Sequence, residues 1–131
     1  METNKFYFEK TLSCSFEDAV AKVTEELKKY GFGILTEIKM HEKFKEKLGK
    51  DFRKYLILGA CNPGFAYKAI QVEDKIGTML PCSVIVQELN PESIEVAIID
   101  PYTSMNGIGN EQLLELASEV GEMLKEAVDN L

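Results

Sequence analysis

Apolar and polar residues alternate along this chain in two rhythms, and the switches between them mark its elements. In KFYFEK, Lys5 to Lys10, Phe6 and Phe8 share one face at period two, which predicts a short strand. From Ser15 the rhythm becomes helical, with Phe16, Val20, Val23, Leu27 and Tyr30 at three- and four-residue spacing. Ser15 and Asp18 resemble a capping box with Asp in place of Glu, and Gly31 supplies a left-handed stop. Alternation returns from Phe32 to Met40, where Phe32, Ile34, Thr36, Ile38 and Met40 share one face of an expected half-buried strand.

A short helix fits His41 to Leu48, closed by Gly49. Arg53 to Cys61 is apolar on both parities, so that strand is expected to be central and covered on both faces. Asn62-Pro63 opens a third helix, because Asn caps and Pro is pre-set for the first helical position; Phe65, Ala66, Ala69 and Ile70 give its apolar stripe. Gly77 closes the connection that follows. Cys82 to Glu88 and Ser93 to Asp100 flank a turn over Leu89 to Glu92 and predict a hairpin, ended by Pro101, which cannot donate to a ladder. A Gly/Asn-rich loop then leads to a long helix over Leu113 to Leu131 with a wide apolar band.

This order predicts a single domain over residues 1–131 of α+β class. Its mostly antiparallel sheet has two long helices on one face. The other face needs a cover, and a second copy of the chain is the simplest, so a homodimer is expected.

Composition narrows the setting. The net charge of −7 argues against nucleic acid as the main partner, since phosphate neutralisation dominates such binding. The longest apolar run, YLILGAC from Tyr55, is far short of the roughly 20 residues that cross a bilayer, and the start is polar from Glu2 to Lys5. Neither a membrane span nor a secretory leader is therefore expected. Three widely spaced cysteines, Cys14, Cys61 and Cys82, make no disulfide framework, which favours the cytoplasm. Between Lys39 and Lys54, seven Lys/Arg face three acids, a local +4 that leaves −11 on the rest. Two solvated helix faces explain this pattern, and a basic surface on one copy meeting an acidic helix on another is compatible with it.

Four segments, YGFGILTEI, LGACNP, GTMLPC and the DP after the last strand, together resemble the family of domain of unknown function 302. The resemblance covers nearly the whole chain. It implies a TATA-binding-protein-like arrangement, strand-helix-four strands-helix, usually homodimeric, with no established activity. A fold shared with a DNA-binding protein does not carry DNA binding to an acidic chain.

The same motifs carry the candidate chemistry. Cys61 ends a strand just before a helix N-cap, where the positive end of the helix favours a thiolate. Cys82 begins the next strand after Pro81, so strand adjacency would bring both sulfurs to one sheet edge. Asp100 is placed to join that edge as a carboxylate, and Gly64 leaves the helix entrance open. The candidate ligand-binding residues are thus Cys61, Asn62, Pro63, Gly64, Cys82 and Asp100. Packing offers a plain alternative, because free cysteine buries readily and Asn-Pro explains itself as a cap. A disulfide between Cys61 and Cys82 would close a loop of about 20 residues, worth ~3 kcal/mol, but a reducing compartment opposes it.

No cofactor is expected, because no P-loop, dinucleotide fingerprint or Cys-x-x-Cys occurs. No metal is assigned: a closed zinc site wants four ligands, though two thiolates suit copper(I) or a site shared across a dimer. His41 reads as a surface or capping residue. Three functions follow: a binding module for a small anionic or thiol-type ligand, favoured here; a thiol redox protein or sensor in which Cys61 attacks and Cys82 resolves; and a structural or interaction domain. No residue pattern establishes an enzyme, and no nearby histidine base supports ordinary cysteine catalysis.

Overall fold

The computed structural model describes residues 5–131; residues 1–4, the start of the polar N-terminus, lie outside the described part. The chain runs β1 (Tyr7–Leu12), α1 (Phe16–Lys28), β2 (Gly33–Lys39), α2 (Met40–Leu48), β3 (Tyr55–Cys61), α3 (Pro63–Val72), a 3₁₀ stretch (Asp74–Met79), β4 (Cys82–Asn90), β5 (Ser93–Ile99), α4 (Pro101–Met105), a 3₁₀ turn (Asn106–Ile108) and α5 (Glu111–Asp129). The strands form one sheet in the order β1-β5-β4-β3-β2 with every neighbour antiparallel. This is the expected α+β arrangement, strand-helix-four strands-helix, with short helices inserted.

The helices begin where local chemistry starts them. Ser15 Oγ accepts from the Asp18 N–H at 3.0 Å, and Gly31, at φ +85°, turns the chain after α1. Asn110 Oδ1 accepts from the Leu113 N–H at 3.0 Å, so α5 starts two residues earlier than its apolar band suggests.

Alternation then decides which side of the sheet is buried. Val84, Val86, Ile94, Val96 and Ile98 are fully buried and share a face with Leu56, Leu58 and Ala60. Against them pack Ala19, Val23 and Leu27 of α1 and Val120, Leu124, Ala127 and Val128 of α5. Each fully buried Val, Leu or Ile stabilises by roughly 1.5–3 kcal/mol, which makes this two-layer contact the main favourable term.

Three expectations are corrected. β3 is interior but lies next to edge strand β2, with β4 at the centre, and Tyr55 and Ile57 on its second face are only half-buried. Its apolar second parity faces the side of the sheet that α1 and α5 leave open. β2 does not hold one alternation: a bulge between Ile34 and Thr36 inserts Leu35, which is 65% exposed, and reverses the faces beyond it. Ile34 therefore pairs with Ala60 on the helix side, whereas Thr36 pairs with Gly59 on the open side. The hairpin is tighter than expected, since β4 continues to Asn90 through a second bulge, and Asn90 Oδ1 accepts from the Glu92 N–H at 2.9 Å.

By register the open side carries Tyr7, Tyr55, Ile57, Ile85, Ala97 and Ile99, and a shallow hollow of about 350 Å³ lies over β1, β5 and β4. A polar strip crosses it: Arg53 Nε donates to Gln87 Oε1 at 2.8 Å, and Gln87 Nε2 donates to Glu95 Oε1 at 2.7 Å. At the β3 end, Phe44 of α2 meets Phe52 edge-to-face at 5.3 Å, and Phe52 in turn meets Tyr55. His41 Nδ1 accepts from the Tyr55 N–H at 3.0 Å, which fixes α2 to the start of β3.

Gly59 gives the sheet its tightest point. A Cβ there would fall 2.6 Å from Pro81 Cγ and closer still to the Thr36 hydroxyl. Gly59→Ala is expected to destabilise by about 1–3 kcal/mol through overpacking. Urea unfolding that leaves the midpoint unchanged would show that Pro81 and Thr36 move aside freely.

Candidate functional site

Direction brings the motif residues to one end of the sheet. β3 and β5 both run antiparallel to β4, so their last residues and the first residue of β4 lie together. Cys61 ends β3, Cys82 begins β4 opposite Ala60, and Asp100 follows β5. α3 leaves from Cys61 and α4 from Asp100, each through an Asx-Pro step.

Those two steps are built alike. Asn62 Oδ1 accepts from the Phe65 N–H at 3.3 Å, with Pro63 at the first turn of α3. Asp100 Oδ1 accepts from the Tyr102 N–H at 3.1 Å, and its Oδ2 accepts from the Thr103 hydroxyl at 3.0 Å, with Pro101 at the first turn of α4. Asn62 does more than cap. Its Nδ2 donates to the Tyr30 carbonyl at 3.1 Å, tying the end of α1 to the start of α3.

Between these elements lies a cavity of about 50 Å³. Cys61 and Cys82 both line it, with Phe32, Phe65, Pro81, Met105 and Ala117 among its apolar walls. No Lys, Arg, Asp or Glu side chain lines it. Both thiols are free; Cys82 is buried and Cys61 half-buried. Burial pushes the Cys82 thiol up to about 11, and the nearby Cys61 adds a smaller push in the same direction. At neutral pH Cys82 is therefore a neutral, apolar-packed thiol.

The sequence candidates divide accordingly. Cys61, Asn62 and Cys82 line one cavity, although the Asn62 amide is engaged at both ends. Pro63 and Gly64 are exposed and do not line it. Asp100 does not join the sulfurs, because its carboxylate turns to cap α4 and lies along a groove with Ser118, Gly121 and Glu122 of α5. It is Pro101, the next residue, that reaches the cavity wall. Sequence reasoning also missed the far wall, Leu113, Leu116, Ala117 and Val120 of α5. Those residues belong to the apolar band of the last helix, but nothing local says that the band crosses the start of β4. Cys14 is half-buried against the main core, away from the cavity. Among the described residues no group of three His, Cys, Asp or Glu side chains is placed to hold a metal ion, and no helix is long and apolar enough to cross a membrane.

The family model for domain of unknown function DUF302 matches residues 8–131, and the chain belongs to that family. Its fold is similar to the crystal structure of an uncharacterized conserved DUF302 protein from Bacillus stearothermophilus, with a TM-score of 0.87 and 27% identity over 95% of this chain and 96% of that one. No curated protein matches the chain.

Two outcomes follow from this geometry. Asn62→Ala removes a cap and leaves the Tyr30 carbonyl without its donor, so a loss of about 1–3 kcal/mol is expected; Asn62→Asp should recover part of it by restoring the cap alone. Equal stabilities for the two variants in chemical denaturation would show that the cap contributes nothing, and an Asn62→Asp variant as stable as the wild type would show the same of the Tyr30 contact. The Cys82 thiol has its folded pKa raised from 9.0 to about 11, so its contribution is complete below pH 9 and is lost as pH rises towards 11. The loss should amount to at most roughly 2–3 kcal/mol and be absent in Cys82→Ala, as read by unfolding midpoints across that window.

Proposed function

We propose that this chain is a homodimeric binding module whose ligand occupies the cavity beside Cys61 and Cys82. The observation that carries this reading is the cavity itself: both cysteine residues, with free thiols, belong to the lining of one apolar space at the end of the sheet. Its walls alter the expected ligand chemistry. Without a cation in the lining, an anion would lose its hydration for nothing in return. A volume of about 50 Å³ is also far below the roughly 300 Å³ of a typical small-molecule site. The cavity suits a small, uncharged or soft species that contacts sulfur. The redox alternative is disfavoured by Cys82, whose raised pKa leaves little thiolate to attack or to depart.

The second copy is assigned to the open face of the sheet. Five strands at ~4.8 Å spacing and about six residues long cover about 500 Å² in projection, so two faces reach about 1,000 Å², the lower bound of a stable interface. A two-fold axis parallel to the strands over β4 sets the Glu9–Glu95 side of one copy over the Arg53 side of the other.

Native mass spectrometry of protein purified without chelator reads both parts. The expected result is a dimer carrying a small adduct that is absent from Ala117→Leu, which fills the cavity. Ile85→Lys, at the centre of the open face, should give monomers. A monomeric wild-type protein without adduct at micromolar concentration would sink the reading.

A further inference from the structure

We infer that Arg53 of one copy pairs with Glu95 of the other across the open faces, twice about the two-fold axis, and that this pairing fixes which way the two copies meet. The inference rests on the homodimer reading above and supplies its specificity. Within one chain the two charges are lined up but not joined. Arg53 Nε donates to Gln87 Oε1 at 2.8 Å, Gln87 Nε2 donates to Glu95 Oε1 at 2.7 Å, and the Arg53 guanidinium lies 4.3 Å from the centre of the Phe52 ring. One buried amide thus holds a cation at one end and a carboxylate at the other. Among the described residues neither Arg53 nor Glu95 makes an ion pair within its own chain. Arg53 is exposed, and the two terminal nitrogens of its fork make no hydrogen bond inside the chain. A guanidinium steadied by an amide and a ring is pre-organised for a carboxylate.

Register selects the orientation. Tyr55, Gln87 and Glu95 lie in one row across β3, β4 and β5, and Ile57, Ile85, Ala97 and Glu9 lie in the next. The strand order is symmetric about β4, so a two-fold axis parallel to the strands and over β4 keeps the rows and exchanges β3 with β5. The guanidinium beside Gln87 on the β3 side then lies over the partner's Glu95 on the β5 side. The other in-plane axis, perpendicular to the strands through Ile85, lays β1 on β1. It sets Glu9 over the partner's Glu9, a like-charge contact, and takes Arg53 away from the partner's Glu95. In the first arrangement six side chains close a ring: each Arg53 reaches the partner's Glu95, and each Gln87 amide joins the two charges of its own chain. The ring is neutral and hydrogen-bonded throughout, the condition under which the attraction of a desolvated ion pair offsets its lost hydration.

Two charge reversals in the full chain, Arg53→Glu and Glu95→Arg, test the pairing, with mass followed by sedimentation or light scattering. Each variant alone sets like charges opposite one another at both contacts, and its dimer dissociation constant is expected to rise at least ~30-fold. Mixed in equal amounts the two variants are expected to form a heterodimer, because one chain is then acidic at both positions and the other basic. Circular dichroism establishes that each variant is folded. A mixture of folded variants that stays monomeric, or single variants that dimerise as well as the wild type, overturns the pairing. Ile85→Lys separates the two levels of failure. A dimer that Ile85→Lys breaks and the reversals leave intact keeps the open face and removes the ion pair, whereas a monomeric wild type removes both.

Discussion

The side-chain amide of Asn62 is the point on which the arrangement at the thiol end of the sheet depends. It receives the Phe65 N–H and gives its own N–H to the Tyr30 carbonyl, so a single planar group fixes the start of α3 against the end of α1. A half-buried amide satisfied at both ends is costly to disturb, because either lost partner leaves a polar group desolvated. Gly31 makes room for it. A Cβ at that position would sit 3.0 Å from Asn62 Nδ2, and the backbone there has φ +85°, which side chains rarely adopt. YGFG and CNP, separate in sequence, are thus two halves of one joint. Cys61, held between the β3 ladder and this joint, has little freedom left.

That joint divides the motif residues by task. Asn62 and Pro63 are accounted for by the cap, as Asp100 and Pro101 are at α4, and Gly121 lets Asp100 approach α5 closely, since a Cβ there would sit 3.0 Å from its Oδ1. The cysteines are not used up in this way. Cys82 could be explained as core, since it joins the main cluster. Cys61 packs less completely and lies at the cavity with it. Two cysteine residues bordering one small apolar space are the feature that folding alone does not require.

Much of this was legible in the sequence where local signals sufficed. Ser15, Asn62 and Gly31 announced their helix ends; the period-two rhythm located β1 and β2, a continuous apolar run β3, and the turn between two apolar runs the β4–β5 hairpin. The errors arise where something outside the local pattern decides, first of all where neighbouring strands settle what a single strand cannot. The β2 alternation looked continuous, yet pairing with β3 forces Leu35 into a bulge and reverses the faces beyond it. β3 read as covered on both sides because Tyr55 and Ile57 are apolar, but hydrophobicity records that a face wants cover without saying what supplies it. Asp100 pointed towards the cysteines only if β5 continued through it. The carboxylate instead found two donors one turn ahead, and no strand periodicity could show that competition. The cavity's far wall depended on where α5 crosses the sheet, which is a tertiary fact.

The two sides of the sheet also separate the charges. α5 lies on the helix-covered side, and its exposed Glu111, Glu115, Glu119, Glu122 and Glu126 point away from the core at helical spacing. The basic stretch from Lys39 to Lys54 belongs to α2 and its flanks, and the Phe44–Phe52–Tyr55 contacts hold that segment against the open side. The chain is therefore acidic along α5 and less so, with Arg53 present, around its open face. A net charge of −7 would oppose association of two copies taken as uniform spheres. Meeting through their open faces places both α5 helices outermost, more than a Debye length of about 8 Å apart, where salt screens their repulsion. The opposite packing, α5 against α5, would bring the acidic stripes into contact and cover a layer whose apolar residues are already buried. The charge pattern and the uncovered Tyr7, Ile57, Ile85 and Ile99 thus point to the same face.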